Sequence, residues 1–118
     1  MRWALLLLLL PLLSGCSSPP EIPEPEYVGG EAVIRMAGDV GDQFSPSEFQ
    51  VPQGTVIRFA HGGGDSVHNV RSLDGAWEHR RPDLQDFVLD TSGLAPGSYR
   101  FQCDAHVTVG MTGVLHVT

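Results

Sequence analysis

Cys103-Asp-Ala-His106-Val-Thr-Val-Gly-Met111 lies near the C-terminus and decides how the rest of the chain is interpreted. This stretch places a thiol, an imidazole and a thioether in one short segment. In residues 98–102 before it and residues 113–117 after it, apolar and polar side chains alternate, which is typical of half-buried strands. The segment is therefore predicted to be a loop that joins the last two strands of the fold.

A second imidazole, His68, lies upstream within Ser-Val-His68-Asn-Val. Two histidines, one cysteine and one methionine form the ligand set of a blue-copper electron-transfer site, in which the thioether is a long, weak axial ligand. The sequence therefore predicts one copper ion bound by His68, Cys103, His106 and Met111. The position of Cys103 at a strand end would aim its sulfur from a rigid element.

The sequence contains three further histidines that are not assigned to the copper site. His61 lies seven residues before His68 and is the only alternative to it as the distant ligand. His116 alternates with apolar neighbours and should point away from the core, and His79 lies in a strongly charged stretch. We interpret all three as structural or surface residues.

From Glu31 onward the chain consists of short apolar runs separated by turn signals, with no helical period. About seven to eight strands at this spacing predict an all-β fold, a Greek-key β-sandwich. The segment 72–82 is predicted to be irregular, with room for a short helix. The strand candidates are residues 32–36, 49–51, 55–60, 67–71, 87–89, 98–103 and 113–117.

The first fifteen residues are predicted to be an export signal. Arg2 precedes an apolar run of about eleven residues, too short to cross a bilayer core that needs roughly twenty. The following Leu13-Ser-Gly-Cys16 resembles the lipobox of bacterial lipoproteins, which implies cleavage before Cys16 and lipidation of its sulfur. An ordinary secretory signal with Cys16 merely nearby is the alternative.

The sequence divides into a signal peptide (1–15), a lipidated Cys16 with a Pro/Glu-rich tether (16–30) and a folded domain (31–118). Four prolines interleaved with glutamates predict an extended tether, because such a segment cannot form a core. With Cys16 acylated, Cys103 is the only thiol left. A lone thiol in an oxidising compartment is protected when it is buried or binds a metal, which favours its role as a ligand.

The chain is acidic, and loss of Arg2 with the signal would take its formal charge from −7 to −8. It contains no lysine. This charge argues against binding to nucleic acid, which requires basic contacts. It suits electrostatic steering towards a basic soluble partner, although solubility alone accounts for it equally well.

Residues 32–117 resemble a cupredoxin of the plastocyanin, pseudoazurin and halocyanin group. The resemblance lies in Phe44-Ser-Pro, in Val51-Pro-Gln-Gly-Thr-Val, in His68-Asn-Val, and in Tyr99-Arg-Phe-Gln-Cys103-Asp-Ala-His106 with Gly110-Met-x-Gly. It implies a type 1 copper domain that passes single electrons, with the four ligands named above. It also implies that Asn69 hydrogen-bonds across to the cysteine strand and that His106 is the partly exposed ligand.

The chain departs from the family pattern in two places. Ala105 stands where plastocyanins typically have proline, which predicts a less rigid ligand loop. Glycines at 62–64 precede the first histidine and are expected to loosen that approach or reshape the docking face.

These features predict a monomeric electron carrier outside the cytoplasm, periplasmic or otherwise extracytoplasmic, held to a membrane by its lipid. Its partners would be redox proteins, such as a c-type cytochrome or a membrane electron-transfer complex. A periplasmic copper-handling protein, a chaperone or resistance factor, is the alternative, disfavoured by the scarcity of methionine. A copper enzyme would need further histidine pairs such as His-x-His, which the sequence lacks, so we expect no enzymatic activity.

Overall fold

A computed structural model describes residues 21–37 and 41–118. Eight strands form two four-stranded sheets with the orders β1-β2-β4-β6 and β3-β8-β7-β5. The all-β Greek-key sandwich predicted from the sequence is confirmed. The strands are β1 (Glu26–Val28), β2 (Glu31–Arg35), β3 (Glu48–Val51), β4 (Val56–Ala60), β5 (Arg71–Ser72), β6 (Phe87–Asp90), β7 (Gly97–Gln102) and β8 (Thr112–Val117).

The core lies between the sheets and is rich in aromatic rings. Alternate residues of the strands point inward, as the two-residue period of a strand requires. Phe101 of β7 is fully buried at the centre, with its ring centroid 4.8 Å from that of Phe44 and 5.5 Å from that of Phe59. Burying one such ring contributes roughly 1.5–3 kcal/mol. Since Phe101 lies two residues before Cys103, this cluster of buried aromatic rings lies next to the cysteine along the chain.

Strand β1 lies inside the segment that the sequence assigns to the tether. It pairs antiparallel with β2 through a turn at Gly29 and Gly30, both of which have positive φ. Farther upstream, the Gln50 amide donates to the Pro23 carbonyl at 3.1 Å. Strand pairing therefore begins upstream of residue 30, where the sequence places the end of the tether, because backbone pairing with β2 outweighs the weak strand propensity of a Pro/Glu-rich stretch.

The predicted strand at residues 67–71 is largely irregular. His68, Asn69 and Val70 are all buried, so the alternation of a strand is lost there. Only Arg71–Ser72 pairs regularly, with β7. The segment 72–82 is also irregular and contains no helix. Trp77 fixes it by packing on the core and donating its indole N–H to the Val70 carbonyl at 3.0 Å.

The predicted signal peptide and Cys16 lie outside the described residues. Within residues 21–37 and 41–118, none of the helical segments has the length and hydrophobicity that a membrane crossing requires.

Candidate metal centre

Cys103 directly follows β7 and is fully buried. It lies on the same face of the chain as Phe101, two residues earlier, so its side chain enters the core. Its backbone N–H donates to the Met111 carbonyl at 3.0 Å, which closes the base of the loop. The thiol is therefore held at the end of a rigid strand.

The rest of the loop is closed by its own backbone. The His106 N–H donates to the Cys103 carbonyl at 3.2 Å, and the Met111 N–H donates to the His106 carbonyl at 3.1 Å. Between them Val107–Val109 forms a 3₁₀ turn that ends at Gly110, whose φ of 85° favours glycine. Three hydrogen bonds thus fix the spacing of the cysteine, the histidine and the methionine.

His68 comes from a distant part of the chain and is anchored on both sides of its backbone. Its N–H donates to the Asp83 carbonyl at 2.9 Å, and its carbonyl accepts from the Asp83 N–H at 3.0 Å. Burial lowers the pKa of His68, and the neighbouring His106 lowers it further. The imidazole therefore favours the neutral form, which is the form that binds metals.

His68, Cys103 and His106 converge, with one donor atom from each within 4.8 Å of the others. The Nδ1 atoms of His68 and His106 lie 3.8 and 3.5 Å from the Cys103 sulfur. Met111 is fully buried beside them, with its backbone bonded to both Cys103 and His106. Two imidazoles, a thiolate and a thioether are the donors of type 1 copper, so the residues fit one copper ion.

Asn69 links the His68 segment to the residue after the cysteine. Its side-chain oxygen accepts from the Asp104 N–H at 2.8 Å, and its amide donates to an Asp104 carboxylate oxygen at 2.9 Å and to the Arg80 carbonyl at 2.9 Å. Thus the side chain bonds across to the cysteine strand, the position that the family resemblance implies for it.

Asp104 is a site residue that the sequence did not single out. Burial acts to raise the pKa of its carboxyl, but hydrogen bonds from Gln102, Asn69 and Arg71 outweigh it and lower the pKa overall. The Arg71 Nε lies 2.8 Å from the carboxylate. Asp104 therefore joins the segment of Asn69 and Arg71 to the end of β7, immediately beside Cys103. No spacing rule marks it, since Asn69 and Arg71 lie more than thirty residues away in the sequence.

The remaining histidines do not join the cluster. His61 is buried, its ring centroid 5.4 Å from that of His68, but its Nε2 lies 2.6 Å from the Ser66 carbonyl and donates to it. His116 lies on the outer side of β8, with Nδ1 2.8 Å from the Ser98 hydroxyl. His79 is exposed. His61 is therefore a structural residue and not a substitute for His68.

The glycines at 62–64 serve a tight turn. Their φ values of 78°, 88° and 86° are all in the region that favours glycine. The bond from His61 to the Ser66 carbonyl closes the loop that they form. This bond holds the loop that leads to His68, and the expectation that the glycines loosen this approach or reshape the docking face stays a prediction. Ala105 is exposed, and the loop around it is held by the backbone bonds described above.

Two solved proteins resemble this chain in fold. One is oxidised plastocyanin from Dryopteris crassirhizoma, with a TM-score of 0.60 and 24% identity over 74% of this chain and 100% of that one. The other is pseudoazurin from Methylobacterium extorquens AM1, with a TM-score of 0.60 and 24% identity over 74% of each chain.

A third similar structure is the metal-binding domain of a Cu(I)-exporting P-type ATPase from Streptococcus pneumoniae D39, with bound Cu(I). Its TM-score is 0.55, with 15% identity over 86% of this chain and 99% of that one. Neither protein-family models nor curated protein sequences give a match to the chain. By its fold, the chain is a cupredoxin-like protein.

Proposed function

We propose that the protein is a one-electron carrier with a single type 1 copper ion, and that it is not an enzyme. The observation that carries this proposal is the convergence of His68, Cys103 and His106 within 4.8 Å. Met111 completes the donor set from the same loop. When bound, the copper ion supplies a one-electron couple between Cu(II) and Cu(I).

The chain contributes donors that have little freedom to move. His68 is pinned by its two bonds to Asp83, and Cys103 by the packed β7 strand and the bond to Met111. A donor set that barely rearranges suits electron exchange, because little energy is then spent on moving ligands between oxidation states. The buried sulfur is also shielded from oxidation.

Electrons would leave through His106. Its side chain is 20% exposed, whereas the other three donor residues are buried. The same loop exposes two apolar side chains, Val107 and Val109. A partner that covers this loop would bring its own redox centre close to the imidazole ring, with no need for a substrate pocket.

The partner would be a basic redox protein, such as a c-type cytochrome or a membrane electron-transfer complex. The formal charge of −7 supports steering of such a partner, and steered association slows as salt is added. Stopped-flow association rates that fall steeply with ionic strength would support this docking mode. Association rates that do not change with ionic strength would instead favour docking through the valines around His106.

The carrier would work outside the cytoplasm, as a monomer held to a membrane by lipid on Cys16. Tethering raises the effective concentration of the domain near membrane complexes. Since Pro23 already bonds to the domain, the tether would comprise the residues between Cys16 and Pro23. Mass spectrometry of Cys16 and release of a Cys16→Ser variant into the soluble fraction test this anchoring. An unmodified Cys16 in the exported protein would contradict it.

Titration of the chain without its leader with Cu(II), followed by visible absorption, tests the copper site. We expect an intense thiolate-to-copper band that saturates at one copper per chain and is absent in Cys103→Ser. A colourless product from the wild-type chain would overturn the proposal.

Copper handling is a second candidate, favoured by the likeness to the domain of the Cu(I) exporter. Exchange of Cu(I) through exposed thioethers would fit that role, but Met36 and Met111 are both fully buried. Rapid transfer of Cu(I) to a competing chelator, with slow electron exchange, would favour handling. The reverse pattern is expected for a carrier.

A further inference from the structure

The carboxylate of Asp42 faces the two imidazoles on the side away from the sulfur. Its Oδ2 lies 3.3 Å from Nε2 of His106, and its Oδ1 lies 3.6 Å from Nε2 of His68. The two rings are neighbours, with centroids 5.1 Å apart. One carboxylate therefore lies within ion-pair distance of both histidines of the cluster.

Ser66 fixes this carboxylate in place. Its hydroxyl donates to Oδ1 of Asp42 at 2.7 Å and lies 3.4 Å from Nε2 of His106. Because the serine proton is given to Asp42, the serine oxygen can only accept from the imidazole. Ser66 is itself held through its carbonyl by His61. The arrangement thus offers acceptors, and no donors, to Nε2 of His106.

Acceptors at Nε2 select one tautomer of the His106 ring, whereas the 3.6 Å from Asp42 to Nε2 of His68 is too long for a hydrogen bond. A proton on Nε2 leaves Nδ1 as the free lone pair, and both Nδ1 atoms are the ones near the Cys103 sulfur. The second nitrogen of a metal-binding histidine commonly donates to a carboxylate, which orients the ring and makes it a stronger ligand. Here the Asp42 carboxylate and the Ser66 oxygen lie at Nε2 of His106, and the same carboxylate places its negative charge near His68.

We propose that Asp42, positioned by Ser66, holds His106 in the Nε2–H tautomer and, with its charge beside both imidazoles, stabilises the oxidised copper ion relative to the reduced one. This inference rests on the proposed copper function. The negative charge interacts more favourably with the doubly charged ion than with the singly charged one. Asp42 is therefore a positioning residue that lowers the reduction potential and does not itself bind the metal.

The isosteric variant Asp42→Asn tests the proposal, with Asp65→Asn as the matched control. Asp65 is exposed and lies next to Ser66, so the control removes the same charge from the same loop. Two measurements are made on the chain without its leader. One is the ¹⁵N spectrum of the histidine rings in metal-free protein at mildly alkaline pH. The other is the pair of Cu(II) and Cu(I) affinities, measured by competition.

We expect the His106 ring spectrum of the wild type to report Nε2–H, with tautomer mixing in Asp42→Asn but not in Asp65→Asn. The ratio of Cu(II) to Cu(I) affinity should fall about tenfold, the low end of effects seen for outer partners of metal ligands. A tenfold fall in this affinity ratio corresponds to a rise of about 59 mV in the reduction potential. Ser66→Ala should move both quantities in the same direction by less.

Equal spectra and equal affinity ratios in Asp42→Asn and Asp65→Asn would overturn the inference while leaving the copper function intact. Changes of the same size in the spectra and affinity ratios of both variants would also overturn the inference, because such changes would reflect the loss of surface charge in general. Failure of the wild type to bind copper would instead refute the proposed function, and the metal-free spectra would still decide the role of Asp42 in setting the tautomer.

Discussion

Gly113 offers a sharp test of how the core supports the ligand loop. It has an ordinary strand conformation, so it is not needed for backbone freedom. A Cβ added there would lie 2.6 Å from Cε2 of Phe101 and 2.5 Å from the Ser47 carbonyl oxygen. Both distances are far inside van der Waals contact. Glycine is therefore required because β8 passes directly over Phe101 and the Ser47 backbone.

The destabilisation expected for Gly113→Ala follows from its contacts with Phe101 and Ser47. Overpacking a close-packed core costs about 1–3 kcal/mol. The displaced Ser47 carbonyl also accepts from the Val114 N–H at 2.8 Å, and weakening that bond adds about 0.5–1.5 kcal/mol. We therefore expect a loss of about 1.5–4.5 kcal/mol in the free energy of unfolding.

Urea denaturation of the metal-free chain measures this loss as a lower midpoint at an unchanged slope. Gly93→Ala is the control, since it has no positive φ and a Cβ there would meet nothing within 4 Å. We expect that control to change stability by no more than about 0.5 kcal/mol. If Gly113→Ala proved as stable as Gly93→Ala, the close packing of β8 on Phe101 would be refuted.

Three further variants probe the surroundings of the site. Asn69→Ala leaves the Asp104 N–H without its acceptor, so urea denaturation should show a loss of about 1–3 kcal/mol in the free energy of unfolding. Competition experiments should show a weaker affinity for copper. Unchanged values of both quantities would contradict the bridging role of Asn69. His61→Phe keeps an aromatic ring but removes the hydrogen bond to the Ser66 carbonyl, so amide hydrogen exchange at residues 62–66 should accelerate. Unchanged exchange rates would show that this hydrogen bond does not stabilise the loop. Hydrogen bonds from Ser92 lower the pKa of Asp90 below its ordinary value of 3.8. Asp90 therefore adds stability that is present above that value and lost as the pH falls through the folded pKa, so the stability difference between wild type and Asp90→Ala should shrink in acid; a constant difference would refute this.

The sequence predicts the sandwich and the four donor residues because both depend on local patterns. The alternation of apolar and polar side chains predicts the strands, and the spacing from Cys103 to Met111 predicts the loop that holds three of the donors. The strand at Glu26–Val28 is missed since its composition resembles a linker, and only its pairing with β2 makes it a strand. The close packing at Gly113 is likewise not visible in the sequence, because it depends on Phe101 and on the backbone of the distant Ser47.

The residues that surround the donors could not be predicted in the same way. Asp42 and Asp104 are ordinary acidic residues in a chain rich in them. Their roles arise from contacts with segments 24 to 35 residues away, such as Ser66 with Asp42 and Asn69 with Asp104. No periodicity or spacing encodes such contacts, because they depend on how the two sheets bring their loops together.

The most direct test of the carrier function is a redox titration of the copper-loaded protein, followed at the thiolate-to-copper band. We predict that one electron per copper bleaches the band, that reoxidation restores it fully, and that the cycle repeats without loss of metal. A band that fails to return, or copper released on reduction, would contradict an electron carrier and indicate a protein that stores or hands over copper.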